Sequence, residues 1–217
     1  EDEAPGIEAD PRMFLVRAEE YGVPQARHRM FIVGIRKDIN VSPGRLRRQK
    51  PPTVKQTIGN LPRIRSGISR GKDSYDNWRR EIGDLNTADV RKEMNGHRYA
   101  RDITDLMSSN LIQFPKILMK SSSKYPSQPR LRHDALVSIY DPYLNVLDGH
   151  ESRSHMPSDL RRYAFASFFA SVTGKSPKLA DFPRSLLPAH ANVDQGRAGK
   201  MFSDRFRVQI PDRPSTT

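Results

Sequence analysis

Tyr21-Gly22-Val23-Pro24-Gln25-Ala26-Arg27-His28-Arg29-Met30-Phe31-Ile32-Val33-Gly34 is the stretch from which the rest of the chain can be read. It joins a turn-like Tyr-Gly-Val-Pro to an uninterrupted apolar run, Met30 to Ile35, bounded by Arg29 and by Arg36-Lys37-Asp38. Such a run predicts a strand buried in a sheet that is covered on both faces. Upstream, Glu1 to Arg12 reads as a loop and Met13 to Arg17 as a second short strand. Two such strands do not make an α/β sheet alone; they need neighbours. Gln25, Arg27 and Arg29 alternate just before the apolar run, and on an extended backbone alternate side chains share one side. Two guanidiniums and an amide at the mouth of a sheet can bind phosphate or the polar edge of a base. A salt-bridged strand entry fits the same residues.

Composition narrows the partners. The chain has 217 residues, enough for one large domain or two small ones. At 35% hydrophobic and 29% charged it is polar, yet not polar enough to be read as disordered throughout. A net charge of +12 and a pI near 10.2 point to a polyanion: DNA, RNA or an anionic membrane surface. No stretch is long and apolar enough to span a bilayer, and Glu-Asp-Glu-Ala-Pro-Gly is not a signal-peptide pattern, so nucleic acid is favoured. Cysteine is absent, which excludes disulfides, thiolate metal sites and cysteine nucleophiles within these residues. Both ends read as cuts through a larger protein.

Further along, nine basic residues and no acidic one lie between Arg45 and Lys72. Within that run Thr53 to Leu61 predicts a short helix, N-capped by Thr53 and stopped by Gly59 and Pro62. Ser74 to Met107 is helix-compatible with breaks near Gly83 and Gly96. Phe114 to Met119 reads as a short strand or helix end. Lys116 to Arg132 is again free of acids and carries a Ser/Pro-rich loop, and Leu136 to Tyr140 reads as a strand. The clearest helix is Asp159 to Thr173, with Ser158 as N-cap and Gly174 as stop. Its stripe of Leu160, Tyr163, Ala164, Phe168, Ser171 and Val172 reads as core. Phe206 to Ile210 reads as a last strand.

Gly-Val-Pro-Gln-x-Arg-x-Arg followed by Phe-Ile-Val-Gly resembles motif VIII of the DNA cytosine-5 methyltransferases. Arg213-Pro214-Ser215-Thr216-Thr217 resembles the Arg-Pro-x-x-Thr of motif IX, which in that family follows a variable target-recognition region. Pro52-Thr53-Val54 with Ile58-Gly59-Asn60-Leu61-Pro62, His150-Glu151-Ser152-Arg153, and Phe202-Ser203-Asp204-Arg205-Phe206 also look like family members. The resemblance implies an α+β fragment. Residues 1–40 would hold the last strands of a Rossmann-like α/β catalytic domain, 41–205 a target-recognition domain of mixed short strands and helices, and 206–217 the return toward the catalytic domain. The family's Gly-rich cofactor motif, Pro-Cys motif and Glu-Asn-Val motif have no counterpart here.

In the family a Cys thiolate adds to cytosine C6 and a methyl group passes from S-adenosylmethionine to C5, after the base has been flipped out of the duplex. The resemblance implies that S-adenosylmethionine and the nucleophile belong to a missing N-terminal catalytic half, so that this chain alone is inactive. It implies that Arg29 holds the flipped cytosine at its O2 edge, where negative charge builds. Arg27 would support the pocket or a phosphate, and Gln25 would orient the loop. Double-stranded DNA is the implied partner. The candidates for contacting it are Arg45, Arg47, Arg48, Arg63, Arg65, Arg70 and Lys72 in the first acid-free run, and Lys120, Ser122, Lys124, Arg130 and Arg132 in the second. A solvated charged face is the plainer reading of either run. No metal is expected: His150 and His155 are the nearest histidine pair and lack ligand spacing. A bacterial cytoplasmic setting, possession of a restriction–modification role and the absence of a membrane partner complete the expectation. The alternatives are a stand-alone basic DNA-binding protein and an inactive remnant of the family.

Overall fold

Asp10 Oδ1 accepts the Arg12 N–H at 2.9 Å and starts a 3-10 turn, Pro11–Phe14, the first element of the computed structural model. The structure describes residues 10–42, 44–111, 113, 115–124, 141, 143–200 and 203–216. These fall into two units. One takes the residues up to Asn60, Asp141 and those from Pro211 onward; the other takes Leu61 to Lys124 and Tyr143 to Ile210. The first unit thus includes residues 41–60, which the sequence reading gave to the recognition domain.

In the first unit β1 (Leu15–Arg17) pairs antiparallel with β3 (His28–Met30), in the register Leu15↔Met30, Val16↔Arg29 and Arg17↔His28. Between them lie a 3-10 turn, Ala18–Glu20, and β2 (Gln25–Ala26), which pairs in parallel with β6 (Ser215–Thr216). The predicted strand from Met13 is shorter, because its first residues are drawn into the turn that Asp10 caps. The predicted buried strand Met30–Ile35 is corrected more sharply. Ladder pairing stops at Met30, and Phe31, Ile32 and Val33 are exposed, Ile32 to 95%. Among the described residues no strand lies alongside 31–35 and no layer covers them. Helix α1 (Val54–Ile58) forms as read, with a full capping box between Thr53 and Gln56 and an end at Gly59.

The second unit is mainly helical. α2 (Tyr75–Gly83), α3 (Thr87–Glu93) and α4 (Ala100–Asn110) follow one another, with Ser74 and Asn86 capping the first two. The expected break near Gly96 falls between α3 and α4; the other comes at Asp84–Asn86, where the Asn86 side chain accepts the Ala88 and Asp89 N–H groups. The long helix α5 (Pro157–Thr173) runs through the core and packs on α2 and α4. Its N-cap is Met156 with Pro157 in the first turn, rather than Ser158, whose hydroxyl instead accepts from Arg162 Nη1. Gly174 ends it in the left-handed conformation, φ 67°.

The buried face of α5 is wider than the predicted stripe. Leu160 and Ala164 belong to it, but so do Phe165, Ala166, Phe169 and Ala170, while Ser171 is exposed. The Phe165 ring lies 5.1 Å from that of Phe182, and Phe182 lies 5.8 Å from Phe206. The Arg162 guanidinium is buried too. It donates to the carbonyls of Leu186 and Leu187, pairs with Asp159 at 2.6 Å, and stacks over Phe206. Phe206–Ile210 is not a strand: the Val208 N–H goes to Ser176 Oγ, and the segment is held by single bonds and the Phe206 ring. Residues 115–119 form neither strand nor helix, and Phe114 and the strand expected at Leu136–Tyr140 lie outside the described residues. Short 3-10 turns at Leu179–Asp181 and Arg184–Leu186 and a short helix α6 (Val193–Arg197) complete the unit. Among the described residues no helix is long and apolar enough to cross a membrane.

Phe165 has no exposed surface. Phe165→Ala is therefore expected to lower the stability of this unit by about 3–5 kcal/mol, through lost transfer energy and the cavity left behind. Thermal and urea melting of the variant beside the parent chain measures it.

Candidate nucleic-acid interface

In the first unit the two motif-like segments meet. Gln25 and Ala26 lie beside Ser215 and Thr216, and Ser215 N–H donates to the Pro24 carbonyl at 2.9 Å. The carbonyls of Arg213 and Pro211 accept the N–H groups of Val54 and Lys55, both at 2.8 Å. Two orphan donors at the start of α1 are thereby satisfied by the Arg-Pro segment.

Gln25, Arg27 and Arg29 are not on one continuous strand. The chain changes partner between Ala26 and His28, and Arg27 N–H turns back to the Gln25 carbonyl at 2.9 Å. Alternation therefore does not carry through the three. Arg27 and Arg29 are exposed, and Arg29 Nη1 donates to its neighbour's carbonyl, that of His28, at 2.7 Å. Glu19, which sequence reading missed, holds His28 Nε2 at 2.7 Å. Burial pushes the Glu19 carboxyl up, but the His28 hydrogen bond, a backbone hydrogen bond and the charges of His28 and Arg17 outweigh it, and its pKa falls below the usual value. Of the basic residues near the start of the first acid-free run, Arg48 pairs with Glu20 at 3.3 Å; Arg45 and Arg47 are exposed.

The second unit gathers three segments into a small irregular sheet. β4 (Gly67–Ile68) pairs in parallel with β5 (Ser154–His155). The stretch leading into β5 also runs antiparallel to the serine-rich segment: Ser121 opposes Glu151, and Lys124 opposes Val146. Arg65 N–H donates to the Met119 carbonyl at 2.9 Å, and His150 Nε2 lies 2.9 Å from the Pro62 carbonyl. Met119, Ser121, Ser122, Lys124, His150 and Glu151 line an open depression of about 440 Å³. A separate apolar cavity of about 380 Å³ lies beside α5, lined by Trp78, Ile82, His155, Leu160, Tyr163 and Phe168. Burial, with the Asp159 charge, pushes the Tyr163 hydroxyl up.

The predicted contact residues divide here. Arg63, Arg70, Lys72 and Lys124 are exposed, and Ser122 is half-buried in the depression. Arg65 is 6% exposed: its Nη1 donates to Asp73 Oδ1 and to the Ser66 carbonyl, both at 2.8 Å. Burial and this pairing leave Arg65, expected from the sequence as a DNA contact, little surface with which to meet a phosphate. Lys120 is exposed, but its Nζ stands 2.6 Å from Asp73 Oδ2, an ion pair off the ideal hydrogen-bond direction. Arg130 and Arg132 lie outside the described residues. Asp73, the first acid after the basic run, was not read as part of any site; its role depends on Lys120, far along the chain. No three His, Cys, Asp or Glu side chains among the described residues come together as metal ligands.

Residues 11–162 match the C-5 cytosine-specific DNA methylases, and the chain belongs to that family. It is similar to the type II methyltransferase M.MthTI of Methanothermobacter thermautotrophicus, 36% identical over 66 residues, which is 29% of this chain and 19% of that protein. It is also similar to the type II methyltransferase M.BbvI of Brevibacillus brevis, 45% identical over 51 residues, 22% of this chain and 14% of that protein. The matched stretches thus span a fifth or less of these relatives. No solved structure matches.

The Asp73 carboxyl is held below its usual range, first by the close Lys120 ammonium, against the upward push of burial, and then by Arg65. Because the folded value is depressed, its contribution is present above the unfolded value of about 3.9 and fades as pH falls through the folded one. Asp73→Asn is expected to cost about 3 kcal/mol at pH 7, since it leaves the Arg65 guanidinium buried without a counter-charge. The gap between parent and variant narrows in acid, which denaturant titrations at neutral pH and near pH 3 would reveal.

Proposed function

We propose that this chain is the DNA-recognising part of a DNA (cytosine-5-)-methyltransferase, whose whole protein methylates C5 of a flipped cytosine within a specific duplex sequence. The observation that carries the reading is the pairing of Gln25–Ala26 with Ser215–Thr216: motif VIII-like and motif IX-like segments close one unit, and the residues between them build another. On this reading the unit from Leu61 to Ile210 is the recognition domain. Arg63, Arg70, Lys72, Ser122 and Lys124 contact the DNA backbone or base edges there, and Arg45 and Arg47 do so from the first unit. Exposed Arg27 and Arg29 serve the active site, Arg29 at the cytosine O2 edge, with Gln25 holding the turn before them. A restriction–modification setting and a bacterial cytoplasm are part of the same proposal.

The methyl donor of the reading is S-adenosylmethionine, and the residues of this chain do not fit it. The sequence has no glycine-rich turn between a strand and a helix, and the apolar cavity beside α5 is lined without a carboxylate to hold a ribose. The cofactor and the nucleophilic Cys are assigned to the rest of the parent, since these 217 residues contain no cysteine.

Two measurements test the reading. The chain is expected to bind mixed-sequence duplex DNA with log K falling linearly against log salt, at about 0.9 per phosphate contacted; absence of binding at low salt would remove the DNA assignment. In the complete protein Arg29→Ala is expected to lower kcat for methyl transfer to duplex DNA by about 10²–10³-fold, as loss of a donor to developing charge does. The 217-residue chain alone is expected to transfer no methyl group. A complete protein that binds DNA and transfers none would be the inactive remnant.

A further inference from the structure

The two acid-free runs were read as separate basic loops, yet one carboxylate joins them. Asp73 Oδ1 holds Arg65 of the first run, and Asp73 Oδ2 holds Lys120 of the second. Around that bridge the backbones interlock. Ser152 N–H donates to the Lys120 carbonyl at 2.8 Å, and Ser152 Oγ donates to the Arg65 carbonyl at 2.5 Å, so one serine ties both runs to the stretch leading into β5. Gly67 makes room for the bridge: a Cβ there would collide with Ser154 Oγ and stand 3.2 Å from Asp73 Oδ2 and 3.3 Å from Lys120 Cδ. The backbone of Gly67 has no positive φ, so it is the missing side chain that matters here. Directly beyond Lys120 come Ser121, Ser122, Ser123 and Lys124, which line the open depression.

We infer that Asp73 and Lys120 are positioning residues that fix the Ser121–Lys124 segment against the Arg63–Lys72 segment, making one composite surface that discriminates DNA sequence. This deepens the DNA-recognition reading and rests on it. Lys120 then contributes to specificity through its place in the fold, and its charge is answered by Asp73 rather than by a phosphate. The distinction is measurable. A lysine that neutralises a phosphate adds affinity for every sequence and steepens the salt dependence; a lysine that holds a loop in register alters which sequences are preferred.

The test uses the full chain, a pool of random-sequence duplexes, and Lys120→Met, a substitution at a side chain that is 46% exposed and therefore compatible with folding. Bound duplexes are sequenced for enrichment, and affinity for the unselected pool is measured across a salt series. Lys120→Met is expected to lower enrichment of the preferred sequence about tenfold while leaving the salt slope of pool binding unchanged. Asp73→Asn is expected to lose enrichment at least as far, since it also releases Arg65, while binding the pool at least as tightly, because it removes a negative charge. The double variant should lose no more than Asp73→Asn alone, as partners in one contact do. A salt slope shallower by about 0.9 in Lys120→Met with enrichment intact would make Lys120 a plain phosphate contact and overturn the inference, leaving DNA recognition standing. Failure of the unsubstituted chain to bind the pool would remove both.

Discussion

The shortage of carboxylates governs this structure. With 37 lysines and arginines against 25 acids, the chain carries an excess of cations, so which ones it pairs decides which surfaces stay positive. Asp159 answers buried Arg162, Glu81 answers Arg161, and Asp73 answers Arg65 together with Lys120. Arg162 and Arg65 would otherwise be buried without compensation, the one situation in which breaking an ion pair is strongly unfavourable, whereas Arg161 and Lys120 keep part of their surface in solvent. Glu20 answers Arg48 at the surface, where such a pair contributes little. Among the described residues of the second unit's acid-free runs, Arg63, Arg70, Lys72, Lys116 and Lys124 remain exposed.

The helical part was legible because its signals are local. Thr53 with Gln56, Gly59 and Gly174 act as punctuation within a turn of the backbone, and each does in the structure what its residue type suggests. The cap of α5 moved from Ser158 to Met156 because Pro157 already supplies a preset φ in the first turn, leaving the serine hydroxyl to serve Arg162. The width of that helix's buried face was not legible: Phe165 and Phe169 are buried by neighbours on two sides, and a single stripe is what one neighbour would require. The apolar run after Arg29 has strand composition, but composition does not supply a partner strand.

The candidate site shows the same division. Motif-like segments at Gln25–Arg29 and Arg213–Thr216 stood out in the sequence, while their hydrogen bonding to one another emerged only in the structure. Clusters of lysine and arginine were also visible. What a charge count cannot reveal is which member of a cluster turns inward: Arg65 does so onto Asp73, an acid that lies just outside the acid-free run.

The parallel pairing of β2 with β6 also sets an order of events during synthesis. Residues 61–210 are complete before Pro211 leaves the ribosome, so the helical unit has all its parts and can form its core while the first unit still lacks a strand and the carbonyls that receive the start of α1. Contacts of such long sequence separation carry the full entropy of closing the chain between them, and a prefolded insert shortens that loop. The strand that pairs with Gln25–Ala26 is therefore the last part of the first unit to be made, and the segment that carries Arg27 and Arg29 waits on it.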